Sequence, residues 1–260
     1  LQHQATQNPY GSGNLKPKDR GPSSLQTSGA DYYGGVFFPT MDIINAYESG
    51  DKRKAGSIMQ HGWEMPNWKP QRNGLADYNA FMTNGFKIDT TLDQSKGGTS
   101  NNDVNAFIAK YVVGPGKTYG GDYIDGHQSS GLNLPILRYA DVLLIFAEAT
   151  LGTNNSTSDA EALTALNKVR TRAGLAAKTS FTKDEILHER RVEFAFEGDY
   201  WFDIQRQGVA KAKQMIEAQD RGSKWGPKNV TFTEDHMYLP IPAGEVLQDP
   251  LLGEPPVNYY

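Results

Sequence analysis

The chain has 260 residues and no cysteine. That excludes disulfides, thiolate metal sites and a cysteine nucleophile. Unbroken apolar runs of about 18 residues are absent, so no segment reads as a membrane-spanning helix. Positive charge is in deficit. The 26 Lys and Arg face 30 Asp and Glu, a net charge of −4, and no basic field invites nucleic acid. Histidine is scarce: His3, His61, His127, His188 and His236 are scattered, without HxH or HExxH spacing. Asp and Asn gather in residues 93–103 and 122–125, the oxygen donors calcium takes, but without EF-hand order, so no metal site is assigned. P-loop, GxGxxG and GxSxG motifs are missing, and Gly114-Pro115-Gly116-Lys117 lacks the spacing of a phosphate loop. No cofactor is expected. Leu1–Ser28 shows neither an initiator Met nor a signal peptide and reads as loop, as a fragment or processed form would.

What remains still suffices for a folded protein. Apolar residues make 38% and aromatics 11%, while 27 Gly and 14 Pro indicate long ordered loops on a scaffold. Mean hydropathy is −0.59. Residues 1–36 read as a loop-like N-terminal segment and 37–133 as loop-rich. Residues 134–237 read as helical and 238–260 as an extended proline-rich tail, anchored by Leu239, Ile241, Leu251 and Leu252. Within the loop-rich part, Thr40 is placed to cap a helix over Met41–Glu48, and Phe107–Val113 alternates as a strand does. In the helical part, Arg138–Leu151 carries a wide apolar face, and Asp159–Ala173 follows with Ser158 as N-cap and Gly174 as stop. The two are expected to form a helical hairpin of the size used in TPR-like repeats. Such a pair cannot bury its own faces and needs partners. Thr182 and Glu185 are spaced as a capping box for a third helix, running to about Glu197 and Gly198. A fourth is expected over Val209–Ala218.

The stretch Glu189–Gly208 is unusual. Glu189, Glu193, Glu197, Asp199 and Asp203 alternate with Arg190, Arg191 and Arg206 among Val192, Phe194, Phe196, Trp201, Phe202 and Ile204. Charges interleaved so tightly with apolar residues must lie against apolar surface, which is tolerable only when they are paired. Carboxylates at i, i+4 could be read as glycosidase acid and base, but those must face each other across a substrate gap. On one arginine-rich helix they suit ion pairing. Arg190, Arg191 and Arg206 are expected to pair with Glu148, Glu193, Glu197 or Asp203.

Six stretches in order carry a family resemblance. They are Phe38-Pro39-Thr40 leading into Ile43–Glu48; Asp51-Lys52-Arg53-Lys54; Leu134-Pro135-Ile136-Leu137-Arg138-Tyr139-Ala140-Asp141; Leu166-Asn167-Lys168-Val169-Arg170-Thr171-Arg172-Ala173-Gly174; Glu189–Gly208; and Tyr238-Leu239-Pro240-Ile241-Pro242. Together they resemble the C-terminal half of the SusD/RagB family, surface-exposed nutrient-binding outer-membrane lipoproteins of Bacteroidetes. Tyr200 departs from the pattern, standing where Arg is common, as does Gln207, where Trp is common.

The resemblance implies a mostly α fold: a TPR-like helical scaffold, a loop-rich ligand-binding part and minor β structure. It implies an oligosaccharide or other nutrient as ligand and a SusC-like TonB-dependent transporter as partner. It also implies an outer-membrane location through a lipid anchor absent from this sequence. Beside it, residues 62–79 hold Trp63, Trp68 and Tyr78 with Asn67, Arg72 and Asn73. Aromatic faces and planar polar groups are what sugar rings and hydroxyls require, and these six are the candidate ligand-binding residues. Tyr32-Tyr33, the stretch from Tyr119 to His127, and Trp225 are second choices. A glycoside hydrolase with an unrecognised carboxylate pair and a helical-repeat scaffold binding only proteins are the alternatives.

Overall fold

The computed structural model describes residues 38–59, 106–110, 135–220, 230–238 and 241–254. Helix α1 is Met41–Ala46, capped by the Thr40 hydroxyl, which accepts from the Ile43 amide. Helix α2, Arg53–Ser57, runs into strand β1, Ile58–Met59. Strand β2 is Phe107–Ile108 and pairs antiparallel with β1, Ile58 opposite Ile108 and Met59 opposite Phe107. Of the strand expected over Phe107–Val113, the described part is only these two residues; Val112 and Val113 lie outside the described residues.

Helix α3, Tyr139–Leu151, packs on helix α4, Ala160–Arg172, and on helix α5, Lys183–Glu193. The small pair β3 (Ser156–Thr157) and β4 (Phe181–Thr182) lies between them in sequence. Ala140, Leu144, Ala147 and Leu151 recur at helical spacing and face Ala162, Leu166, Val169, Phe181 and Ile186 in one buried cluster. Alanines at the contact let the helix axes come close. So α5 supplies one of the partners the hairpin requires. The opposite face of α3 stays open, with Tyr139 67% exposed and Val142, Ile145 and Phe146 also exposed.

Helix ends follow local chemistry where they can. Asp159, not Ser158, caps α4: its carboxylate accepts from the Glu161 and Ala162 amides, one residue later than expected. The end of α4 is a Schellman turn, in which Leu175 N donates to Arg170 O and Gly174 N to Thr171 O. Gly174 takes φ 83° there. The capping box of Thr182 and Glu185 opens α5 as expected. That helix ends at Glu193, earlier than the expected Glu197, because Phe196 turns to φ 67° before Gly198 at 113°. A short helix α6, Tyr200–Gln205, and helix α7, Val209–Glu217, follow. Ile204, Ala212, Ile216, Phe232 and Met237 form their own cluster, with Met237 at the end of a 3₁₀ turn, Glu234–Met237. The tail is not simply extended: it contains helix α8, Ala243–Gln248, and a 3₁₀ turn at Pro250–Gly253. Ile241, Leu251 and Leu252 are exposed and do not anchor it, while Leu239 lies outside the described residues. The fold is mostly helical with minor strands.

Candidate functional site

Buried charge is concentrated on α5. Glu189 is 1% exposed and Glu193 3%. Glu189 accepts from Arg53 Nη1 and from Arg170 Nη1, both at 2.7 Å. Arg53 is held in turn by Asp51 (2.7 Å) and Arg170 by Glu48 (2.8 Å). Glu193 receives Arg172 at 2.5 Å, Arg138 at 3.1 Å and Arg53 at 3.2 Å. Arg190 is buried between Asp141 and Asp203, each at 2.9 Å. Each carboxylate thus meets one or more guanidinium groups at hydrogen-bond distance, which is what makes buried charge tolerable.

The pairing differs in part from expectation. Arg190 does meet Asp203, and Arg206 bonds both Glu148 and Asp203. Arg191 instead pairs with Asp42 on α1, and its guanidinium lies 4.8 Å from the centre of the Tyr200 ring, the residue that departs from the family pattern. Glu193 and Glu197 bond none of these three arginines; their partners are Arg53 on α2, Lys110 just past β2, Arg138 at the N-cap of α3 and Arg172 on α4. Glu189 and Glu193, one turn apart on α5, both meet Arg53 on α2 and an arginine of α4, whereas Arg190 faces Asp141 on α3 and Asp203 on α6. The basic partners missed in the sequence are Arg53, Lys110, Arg138, Arg170 and Arg172. All but Lys110 stand inside the stretches that carry the family resemblance, which was the available signal.

A second buried cluster joins α1, β1 and the end of α5. Ile58, Ala106, Val192 and Ala195 share a buried cluster with Ile44 and Tyr47, and Phe196 packs against it. Burial pushes the Tyr47 hydroxyl up to about 12. Lys110, just past β2, donates to the carbonyls of Glu193 (2.8 Å) and Ala195 (3.2 Å) and pairs with Glu197 at 2.5 Å. Arg138 also holds Glu197, through Nε at 2.7 Å and Nη2 at 2.8 Å.

Trp63, Trp68, Tyr78, Asn67, Arg72 and Asn73 lie outside the described residues, as do Tyr32, Tyr33, the stretch from Tyr119 to His127, and Trp225. The ladder β1–β2 marks where the chain leaves for the first six and returns. Among the described residues no cluster of His, Asp and Glu is arranged to hold a metal ion, and no helix is long and apolar enough to cross a membrane.

The network sets an acid limit. Burial keeps the His188 imidazole below its ordinary 6.5. Burial also opposes ionisation of Glu193, but the hydrogen bonds and charges of Arg172 and Arg138 outweigh it and hold that carboxyl below 4.5. In both cases the unfolded chain binds the proton more readily, so stability falls as pH falls. The His188 contribution starts to be lost below about pH 6.5, and the Glu193 contribution below about pH 4.5. Urea midpoints between pH 7.5 and pH 3.5 are expected to decline in these two stages, the first absent in His188→Gln. A flat profile would refute this.

Residues 25–257 match the SusD family. A SusD-like protein of Bacteroides ovatus is 36% identical over 166 aligned residues, covering 50% of this chain and 30% of that protein. A SusD-like protein P2 of Formosa agariphila is 37% identical over 94 residues, 32% of this chain and 18% of that one. A structure solved with xylogluco-oligosaccharide superposes with a TM-score of 0.73 at 25% identity, over 100% of this chain and 54% of that one. A surface glycan-binding protein A from Bacteroides uniformis gives 0.60 at 25% identity, over 92% and 46%. The chain thus spans about half the length of these solved relatives and less than a third of the curated ones. The order of motifs, the helical scaffold and the family match agree: this chain belongs to the SusD family.

Proposed function

We propose that the protein captures an oligosaccharide at the cell surface and passes it to a SusC-like TonB-dependent transporter, as a non-enzymatic binding protein held to the outer membrane by a lipid anchor. The observation that carries the reading is the fold shared along the whole chain with a protein solved with xylogluco-oligosaccharide. In this reading Trp63, Trp68 and Tyr78 stack on sugar faces, and Asn67, Arg72 and Asn73 bond hydroxyls.

The carboxylates favour binding over hydrolysis. One cleft of about 240 Å³ is lined by Arg138, Asp141, Phe194, Glu197 and Asp199, and burial pushes the Asp199 carboxyl up, helped by the charges of Asp141 and Glu197. A carboxyl pushed up beside other carboxylates can serve glycosidase chemistry. Here Glu197 is taken up by Arg138 and Lys110, and Asp141 by Arg190. The cleft also falls below the roughly 300–1,000 Å³ of small-molecule pockets.

Isothermal titration against a panel of neutral oligosaccharides, xylogluco-oligosaccharide included, is expected to give binding that Trp63→Ala with Trp68→Ala weakens by about 100-fold, the scale of losing two aromatic anchors. No binding across the panel, or a double variant equal to wild type, defeats the reading. Release of reducing sugar over time would point to the hydrolase instead.

A further inference from the structure

Three exceptional features meet at one place beside α5. Tyr200 stands where the family pattern commonly has Arg. Phe196 holds φ 67°, a left-handed backbone that an aromatic residue adopts only when its surroundings impose it. The Nε of Arg191 is buried and bonds nothing among the described residues. A buried donor costs free energy until an acceptor reaches it.

Arg191 is the centre of the arrangement. It pairs with Asp42 on α1, and its guanidinium lies 4.8 Å from the centre of the Tyr200 ring. Two cavities, of about 280 and 200 Å³, lie against this cluster, and Asp42, Arg191 and Tyr200 line both. Taken together they fall within the roughly 300–1,000 Å³ of small-molecule pockets. The smaller cavity is aromatic. Phe196 and Phe38 line it, the latter held edge-on by Phe107 at 5.6 Å, beside Thr40 and Gln219. The larger lies between α5 and α7, with Leu187 and His188 on the first and Gln214 and Met215 on the second. Unlike the sealed Glu189, the Arg191 and Asp42 side chains stay 18% and 22% exposed, so a solute can reach them.

Charge in these cavities is already balanced. Asp42 answers Arg191, and Asp184 answers Lys211 at 2.9 Å. An ionic ligand would have to break one of these pairs. A neutral one need only bond them from the side. The Asp42 carboxylate accepts and the Arg191 guanidinium donates next to each other, which two neighbouring hydroxyls can satisfy, each being donor and acceptor at once. The Thr40 hydroxyl accepts from the Ile43 amide and keeps its own hydrogen to give. Burial keeps the His188 ring neutral at pH 7, with one donor and one acceptor nitrogen.

We propose that this cleft is a saccharide site of its own, taking an uncharged sugar whose neighbouring hydroxyls bond Asp42 and Arg191 while a ring face lies against the aromatic wall of Phe38, Phe196 and Tyr200. It is separate from the six residues of the preceding section and does not depend on them.

The test uses the full chain carrying Trp63→Ala and Trp68→Ala, so that the earlier candidates do not contribute. The probes are cellobiose, maltose and lactose, with glucuronic acid as the charged comparison, followed by titration calorimetry and by the imidazole proton signals of His188. At least one neutral disaccharide is expected to bind and to shift those signals. Tyr200→Arg installs the residue common in the family, so the fold should tolerate it, and it should weaken binding by about tenfold or more, as loss of an aromatic anchor does. Tyr200→Phe keeps the ring and should keep most of the affinity. If Tyr200→Arg does not fold, Asp42→Asn carries the test, since it preserves shape, withdraws the charged acceptor and should also weaken binding. No neutral sugar bound by the tryptophan-free background, equal affinity in Tyr200→Arg, or tighter binding of glucuronic acid overturns the proposal. If the wild type binds the neutral sugars no better than that background, the reading of Trp63 and Trp68 fails while this one holds.

Discussion

Glu189→Ala is expected to lower the unfolding free energy by about 3–5 kcal/mol, the cost of breaking a buried ion pair by removing one partner. The reason is the position of Glu189 rather than the strength of either bond. Its carboxylate joins Arg53 to Arg170, with both guanidinium groups at 2.7 Å, and it is almost wholly out of water. Alanine would leave two cations facing one another across a cavity, Arg53 with Asp51 and the longer contact to Glu193, and Arg170 with Glu48. Glu189→Gln should cost less than alanine, because the amide oxygen still accepts one bond, yet its NH₂ group then faces the other arginine. The contrast is the exposed pair of Lys211 with Asp184 at 2.9 Å, where Lys211→Ala should cost under about 1 kcal/mol. Urea denaturation with a common m-value would measure all three. A loss below about 1 kcal/mol for Glu189→Ala would mean that water or side-chain rearrangement replaces the lost carboxylate, contrary to the sealed network described.

How far the sequence could be read divides along the range of the forces involved. The capping box at Thr182 and Glu185 is settled within four residues, and its position was readable for that reason. The cap of α4 slipped by one because Ser158 and Asp159 are both capping residue types, and only the amide geometry selects Asp159. The end of α5 was not readable. No glycine stands between Lys183 and Gly198, and the helix stops because Phe196 turns, a conformation held by the Lys110 bonds and by packing on the cluster of Ile44 and Ala195. Those contacts come from residues more than 80 positions away. The partners of Glu193 and Glu197 were misassigned for a related reason. Helical spacing tells which residues share a face but not which other element brings charges to it. The stronger signal lay in the resemblance. Asp51 and Arg53, Arg138 and Asp141, Arg170 and Arg172, and Glu189 to Arg206 each sit in a separate family-like stretch, and together they make one network. The stretches that identified the family are therefore its brace. The candidate sugar-binding residues rest on side-chain chemistry alone, since no stretch carrying the resemblance includes them.

Phe181→Ala is expected to cost about 3–5 kcal/mol, as removal of a buried phenyl ring usually does. Phe181 is fully buried in the cluster that joins α3, α4 and α5. It also stands just before the N-cap Thr182, with Ile186 at the fourth helical position and equally buried. That is the arrangement of a hydrophobic staple, which fixes the angle at which a chain enters its helix. The ring therefore fills the core and aims α5, the helix on which the ion network is built. Two comparators separate these roles. Thr182→Ala removes only the cap and should cost about 1 kcal/mol. Phe181→Leu keeps an apolar side chain in the staple position, so its loss should fall well short of the alanine value, in the range below about 1.5 kcal/mol seen for conservative core swaps. If Phe181→Leu proves as damaging as Phe181→Ala, ring shape rather than buried volume sets the packing between α5 and the hairpin. If Phe181→Ala costs no more than Thr182→Ala, the cluster closes over the gap and the staple is not what orients α5. Urea midpoints for the three variants, with far-UV circular dichroism to confirm native helix content, distinguish these outcomes.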